Sequence, residues 1–273
     1  MRQAKTTNKT ILAKELGISR SNLYYKHRLP EKDWLLKQRI ETVLHQYPSY
    51  GHKRIALHLQ INKKRVRRVM KAFGMKPYRR RGNKYRKTKG VSIECSNLLL
   101  TNIPQYPHHI WTSDFTHMSF HGKTIYVATV MDLFGREVVG YSVLTTHATQ
   151  LVTQALLSAL HNYPVPVILH SDQGSEYTSK DYLVLLISLG IKPSMSHKGS
   201  PWENGYQESF YDKFKIDLGD PNRFESLGEL VAAIAETMYR YNNSRIHTIL
   251  KMPPAIFAQR YSQRSITILE GVS

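Results

Sequence analysis

The chain has 273 residues, 41% of them apolar, enough to bury a core in one large domain or in a mid-sized domain beside a small one. A formal charge of +19 points to a polyanionic partner, with nucleic acid ahead of an anionic membrane. The single cysteine, Cys95, excludes an internal disulfide framework and a cysteine-rich zinc site. No stretch approaches the roughly 18 apolar residues of a membrane span, so a cytoplasmic protein is expected.

Charge is unevenly spread. Residues 51–90 contain no Asp or Glu, whereas the signs are mixed from Glu94 onward. The shift predicts a helical DNA-binding region over 1–75, a basic linker over 76–106 and a better balanced domain over 107–273. In the first part, a short helix over 9–16, a turn at Gly17-Ile18 and a polar-started second helix from Ser19 give a helix-turn-helix layout. The layout recurs with helices over 52–59 and 63–73, the second N-capped by Asn62. Its inward side holds Val66, Val69, Met70 and Phe73, and its outer side holds Lys63, Lys64, Arg65, Arg67, Arg68 and Lys71. A charge run is usually a solvated face. This one has a single sign and no acid one turn away, which favours DNA contact. Residues 76–89, with Arg79, Arg80 and Arg81, read as an extended basic segment suited to a phosphate backbone.

From Ile110 the pattern becomes strand-like. Strands over 111–120, 124–134 and 137–144 form an antiparallel meander, followed by a helix over 149–162. A short buried strand over 165–170, a helix over 179–189 and a fifth strand over 191–196 come next, then helices over 201–217 and 226–242. The run 182–189 reads as a core helix. The sum is an α/β arrangement, a mixed five-stranded sheet flanked by helices.

The acids divide by position. Asp114 lies inside the first strand, where a carboxylate is costly unless paired or metal-bound, although an edge or turn aspartate is a plain alternative. Asp172 follows the fourth strand, at the carboxyl ends where α/β sites gather, although Asp-Gln-Gly also suits a simple Asx-turn. Asp132 is assigned to turn amides, and Glu176 to an outward position before the next helix. Ser200-Pro201 reads as a helix start, which makes Glu203 the partner in a Ser-x-x-Glu capping box. Glu208 is then about 140° further round that helix, on a face with Asn204, Tyr211 and Lys215. Thirty-five residues lie between Asp172 and Glu208. Three acids so placed can converge, with their repulsion relieved by divalent cations, and magnesium suits carboxylate and phosphate oxygens together.

WTSD at 111–114, HSDQGSEY at 170–177 and the spacing to Glu208 resemble the DDE core of transposases and retroviral integrases. More narrowly, the chain resembles the second-frame (OrfB-type) product of bacterial insertion sequences of the IS-three family. The resemblance covers most of the chain. It includes Tyr50-Gly51-His52-Lys53-Arg54-Ile55, the run from Asp132 through Arg136 to Gly140, the stretch 194–199, and Tyr241-Asn242 with Arg245 and His247. It implies an RNase H-like core and a DNA transposase, with Asp114, Asp172 and Glu208 as catalytic ligands of two Mg²⁺ ions, Mn²⁺ being a possible substitute. It also implies Lys215 near element-end DNA, a homo-oligomer on double-stranded DNA, and a first-frame (OrfA-type) partner or fusion. Two other readings stand beside it: a metal-dependent nuclease of the same fold, and a non-catalytic DNA-binding regulator. The presence of all three acids counts against the regulator. Where the family usually has Asp-Asn-Ala, this chain has Glu203-Asn204-Gly205, and a glycine inside a helix costs about 1 kcal/mol relative to alanine.

Overall fold

The computed structural model describes residues 9–21, 29–79, 95–197 and 204–261. In the N-terminal region α1 (Lys9–Glu15) is followed by α2 (Leu29–Gln46), α3 (His52–Leu59) and α4 (Lys63–Ala72). The second helix of the first expected helix-turn-helix would fall largely in 22–28, outside the described residues. Helix α2 was not among the expected elements. Its signal is the spacing of Leu36, Ile40, Val43 and Tyr47, steps of four, three and four that put all four on one buried side. They pack with Ile55 of α3 and with Val66 and Val69 of α4. As expected, Asn62 caps α4: its side chain accepts from the Lys64 amide at 2.8 Å.

The sheet order is β3-β2-β1-β4-β5, from β1 (Ile110–Phe120), β2 (Lys123–Asp132), β3 (Val138–Leu144), β4 (Ile168–Ser171) and β5 (Lys192–Met195). β1 lies at the centre, antiparallel to β2 and parallel to β4, which is the RNase H-like arrangement. Alternation along β1 divides its residues between two cores. Trp111 and Phe115 face one core with α5 (Thr149–Asn162). Met118 and Phe120 face the other, with α7 (Gly205–Leu218) and α8 (Leu227–Asn243). Asp114 has the parity of the second set, so it points to the α7 side. The helix α6 (Lys180–Ser188) corrects one expectation: Tyr182 and Leu186 are buried, but Val184 and Ile187 are 55% and 67% exposed, so the apolar run is only half core.

α5 approaches β3 closely at Gly140. A Cβ there would meet the Ala155 carbonyl oxygen and come within 2.6 Å of the Ala159 amide nitrogen. Both are backbone atoms, which cannot swing aside. Gly140→Ala is therefore expected to destabilise the protein by ~2–3 kcal/mol, seen as a lower urea midpoint at unchanged slope. An unchanged midpoint would refute the close approach.

Residues 95–102, within the expected linker, lie against β5: the Leu98 amide donates to Ser194 Oγ at 2.9 Å and the Met195 amide to the Ser96 carbonyl at 3.4 Å. The N-terminal helices are fastened to the core as well. Arg245, 3% exposed, donates from Nε to Asp217 Oδ2 at 2.6 Å and from Nη2 to Ser49 Oγ at 2.7 Å. Ser49 Oγ donates in turn to Asp217 Oδ1 at 3.3 Å. Beside this ring, the Ile246 amide donates to Tyr50 Oη at 2.7 Å and Arg240 donates to the Gln46 carbonyl at 2.8 Å.

Candidate active site

Asp114 sits half-buried in the middle strand, and the chain supports β1 there with a polar stripe along α7. Asn204 Oδ1 accepts from the Thr112 hydroxyl at 3.0 Å, and Gln207 Nε2 donates to the Thr112 carbonyl at 2.8 Å. Tyr211 Oη donates to the Asp114 carbonyl at 2.7 Å, and Lys215 Nζ donates to the His117 carbonyl at 3.0 Å. These four positions recur at three- and four-residue steps, so one side of the helix lies along β1. Sequence reasoning placed Asn204, Tyr211 and Lys215 on this side and missed Gln207, which is fully buried.

The start of α7 differs from the expected Ser200-Pro201. The helix begins at Gly205 with Asn204 at its N-cap position, and Asn204 bonds to Thr112 rather than to its own helix. Residues 198–203, including Glu203 and its expected capping box, lie outside the described residues. Gly205 is thus a first-turn residue. A Cβ on it would meet open space, so neither the interior-helix cost nor a steric need applies.

Asp172 follows β4, as expected, and its Oδ1 accepts from the Gly174 amide at 3.0 Å. Glu176 is a correction. It is 4% exposed and faces inward, where Oε1 pairs with His147 Nε2 at 2.7 Å. A Cβ on Gly174 would stand 2.9 Å from Glu176 Oε2 and 3.0 Å from Asp172 Oδ1, so both carboxylates crowd that small residue. Glu208 is exposed, in the first turn of α7. Asp132 is a turn residue, as read: Oδ2 accepts from the Gly135 amide at 2.7 Å and Oδ1 from the His108 amide at 3.0 Å.

Electrostatics ties the three acids together. Burial, then the Asp172 carboxylate, raises Asp114 to about 8, with Glu208 adding to the rise and Lys215 and the Phe115 amide opposing it. Asp172 is raised by burial and by Glu176, against the Gly174 amide. Glu208 is raised by partial desolvation and by Asp212. A site that holds acids this poorly ionised on their own favours a cation.

On α4, Lys63, Lys64, Arg65, Arg67 and Lys71 are exposed on the side away from the buried residues, as expected. Arg68 differs. It is exposed, but its two terminal nitrogens donate to both oxygens of buried Asp33 at 2.5 and 2.6 Å, an acid on α2 that the spacing along α4 could not reveal. Arg79 is exposed at the edge of the described region, and Arg80 and Arg81 lie outside it.

The family described as integrase core domain matches residues 104–201, and a second family of that description matches 189–254. The transposase for insertion sequence element IS904 of Lactococcus lactis is 33% identical over 81% of this chain and 94% of its own length. The putative transposase InsK for IS150 of Escherichia coli is 32% identical over 88% of this chain and 89% of its own. Among solved structures, the HTLV-2 integrase catalytic core in complex with magnesium is 21% identical, covering 56% of this chain and 97% of that one, with a TM-score of 0.44.

Proposed function

Since the chain belongs to the family of insertion-sequence transposases with an integrase core, we propose that it cuts and joins DNA strands through Asp114, Asp172 and Glu208. The observation that supports this reading is the position of Asp114 in the central strand, where burial first, then the Asp172 carboxylate and more weakly Glu208, push it up to about 8. All three groups are hard oxygen donors, a set that fits Mg²⁺, with Mn²⁺ as a substitute. Among the described residues no three acidic or histidine side chains yet stand close enough to hold one ion. Glu208, exposed at the first turn of α7, is the member that has to move inward.

Asp114, Asp172 and Glu208 would hold the divalent cations, which would supply Lewis acidity to an attacking hydroxyl and to the departing oxygen. The chain's own residues prepare the site. The Phe115 and Gly174 amides orient one oxygen each of Asp114 and Asp172, at 2.8 and 3.0 Å. Tyr211, bonded to Thr129 at 2.8 Å and to the Asp114 carbonyl, holds β1 against the helix that brings Glu208. Lys215 lies at the far end of the same stripe, placed to meet a DNA phosphate near the reacting bond. The exposed cations of α4 hold the duplex at a distance from the chemistry. Double-stranded DNA, further copies of this chain and a first-frame partner complete the proposed assembly.

The test is strand transfer with labelled element-end DNA and Mg²⁺, the partner protein supplied. Asp172→Asn is expected to lose cleavage and joining together. Joining that survives the substitution would sink the role of Asp172. Cleavage without joining would leave a nuclease, and binding without either reaction a regulator.

A further inference from the structure

A cavity of about 350 Å³ lies on another side of α7 from the carboxylates. Its α7 wall includes Tyr206, Ser209 and Lys213, roughly 100–160° round the helix from Glu208. The remaining wall brings in Arg54 of α3, Arg136 of the β2–β3 turn, and Arg245 and His247 from the segment after α8. Four of these side chains carry a positive charge, and the neutral histidine adds a ring N–H that can donate. Among the described residues, the acids paired with its lining cations are Asp217, engaged by Arg245, and Asp212, 4.0 Å from Lys213.

The donors are poorly satisfied. Among the described residues, Nε of Arg54, Nη1 of Arg136 and Nδ1 of His247 are buried without a hydrogen-bond partner. Native structures seldom leave such groups unpaired unless something else binds there. The cations also repel one another: after burial, Arg245 helps push Arg54 down to about 10, and Arg136 with Arg54 helps push His247 down to about 4. An anion with several acceptor oxygens would pair the orphaned donors and relieve the repulsion at once, and guanidinium groups match phosphate oxygens in pairs. The cavity is within the range that holds a small ligand.

We propose that this cavity is a phosphate-binding site, built by Arg54, Arg136, Lys213 and His247 to seat a phosphate other than the reacting one. A second basic hollow, with Lys53, His52 and Arg79, shares Arg54 and Lys213 as a wall, so positive charge continues past the room for a single phosphate. That continuity favours a backbone phosphate of bound DNA over a free one. Only the choice of DNA rests on the transposase reading.

The test compares wild type with Arg54→Gln and Arg136→Gln, without divalent cation, so that binding alone is read. One arm measures melting temperature with inorganic phosphate against chloride at equal ionic strength. The other measures affinity for element-end duplex across a salt series. A phosphate-induced rise of ~2–4 °C in wild type that is lost in both variants supports the site for phosphate as such. No such rise, but an affinity for duplex several-fold lower and a salt slope shallower by about one per arginine removed, supports it with DNA as the source. Equal responses of wild type and variants in both arms overturn it. Arg54→Gln removes a repelling neighbour, so it is expected to melt no lower than wild type in phosphate-free buffer. Should it fail to fold, Arg136→Gln and the wild-type titration decide. If strand transfer is absent while the phosphate response persists, the site stands and the transposase reading falls.

Discussion

Asp114→Asn is expected to abolish strand transfer while making the metal-free protein more stable at pH 8. The loss of activity follows from removing a proposed cation ligand, worth several kcal/mol of transition-state stabilisation, or roughly a thousandfold in rate. The gain in stability follows from the raised pKa. In the unfolded chain Asp114 ionises near its ordinary value, and in the folded protein only near 8. The folded state therefore holds the proton more tightly between those values, and stability falls as pH rises from about 4 to about 8. Asparagine has no proton to lose and escapes that fall. The difference is ~2–4 kcal/mol at pH 8, discounted from the full shift because the carboxylate keeps some contact with water. Melting curves at pH 5 and pH 8 check it: the wild type should drop more than the variant between the two. Asp172 is also raised, by burial and by Glu176, and those causes remain in both proteins. Parallel pH profiles would refute the buried, mutually repelling acids. Mg²⁺ at pH 8 should restore the wild type and leave the variant unmoved.

The second large effect concerns the fastening of the helices to the core. Asp217→Ala leaves Arg245, 3% exposed, as an uncompensated buried charge, and is expected to cost ~3–5 kcal/mol. Replacing both members, as in Asp217→Leu with Arg245→Met, should recover most of that loss, because two apolar groups of similar size need no partner. Urea denaturation of Asp217→Leu, Arg245→Met and the double variant measures the coupling. Additive losses would show that the ring of Arg245, Asp217 and Ser49 does not act as a unit.

Much of this molecule is legible from local pattern. The strand and helix periods place β1 to β5 and α5 to α8 within a few residues, and strand position puts Asp114 in mid-strand and Asp172 at a strand end, with a plain structural alternative left for each. What escapes is set by partners distant in sequence. Glu176 looks outward because the residue that draws it in, His147, lies beyond the local window. Gln207 looks like one more polar helix residue, because its partner on β1, the Thr112 carbonyl, lies far upstream in the chain. Arg68 reads as one more DNA contact until Asp33 arrives from α2. Arg54, Arg136 and His247 stand out as letters of a motif, but the orphaned nitrogens they share among the described residues appear only when three separate segments meet.

The ring around Arg245 also fixes α4 in relation to Asp114, since α3 and α4 share a core with the helix that leads into Ser49. With the duplex on α4 as proposed, the protein works as a gauge. The interval along the DNA between the gripped segment and the bond that is cut becomes a dimension of the folded body, as constant as the sheet itself.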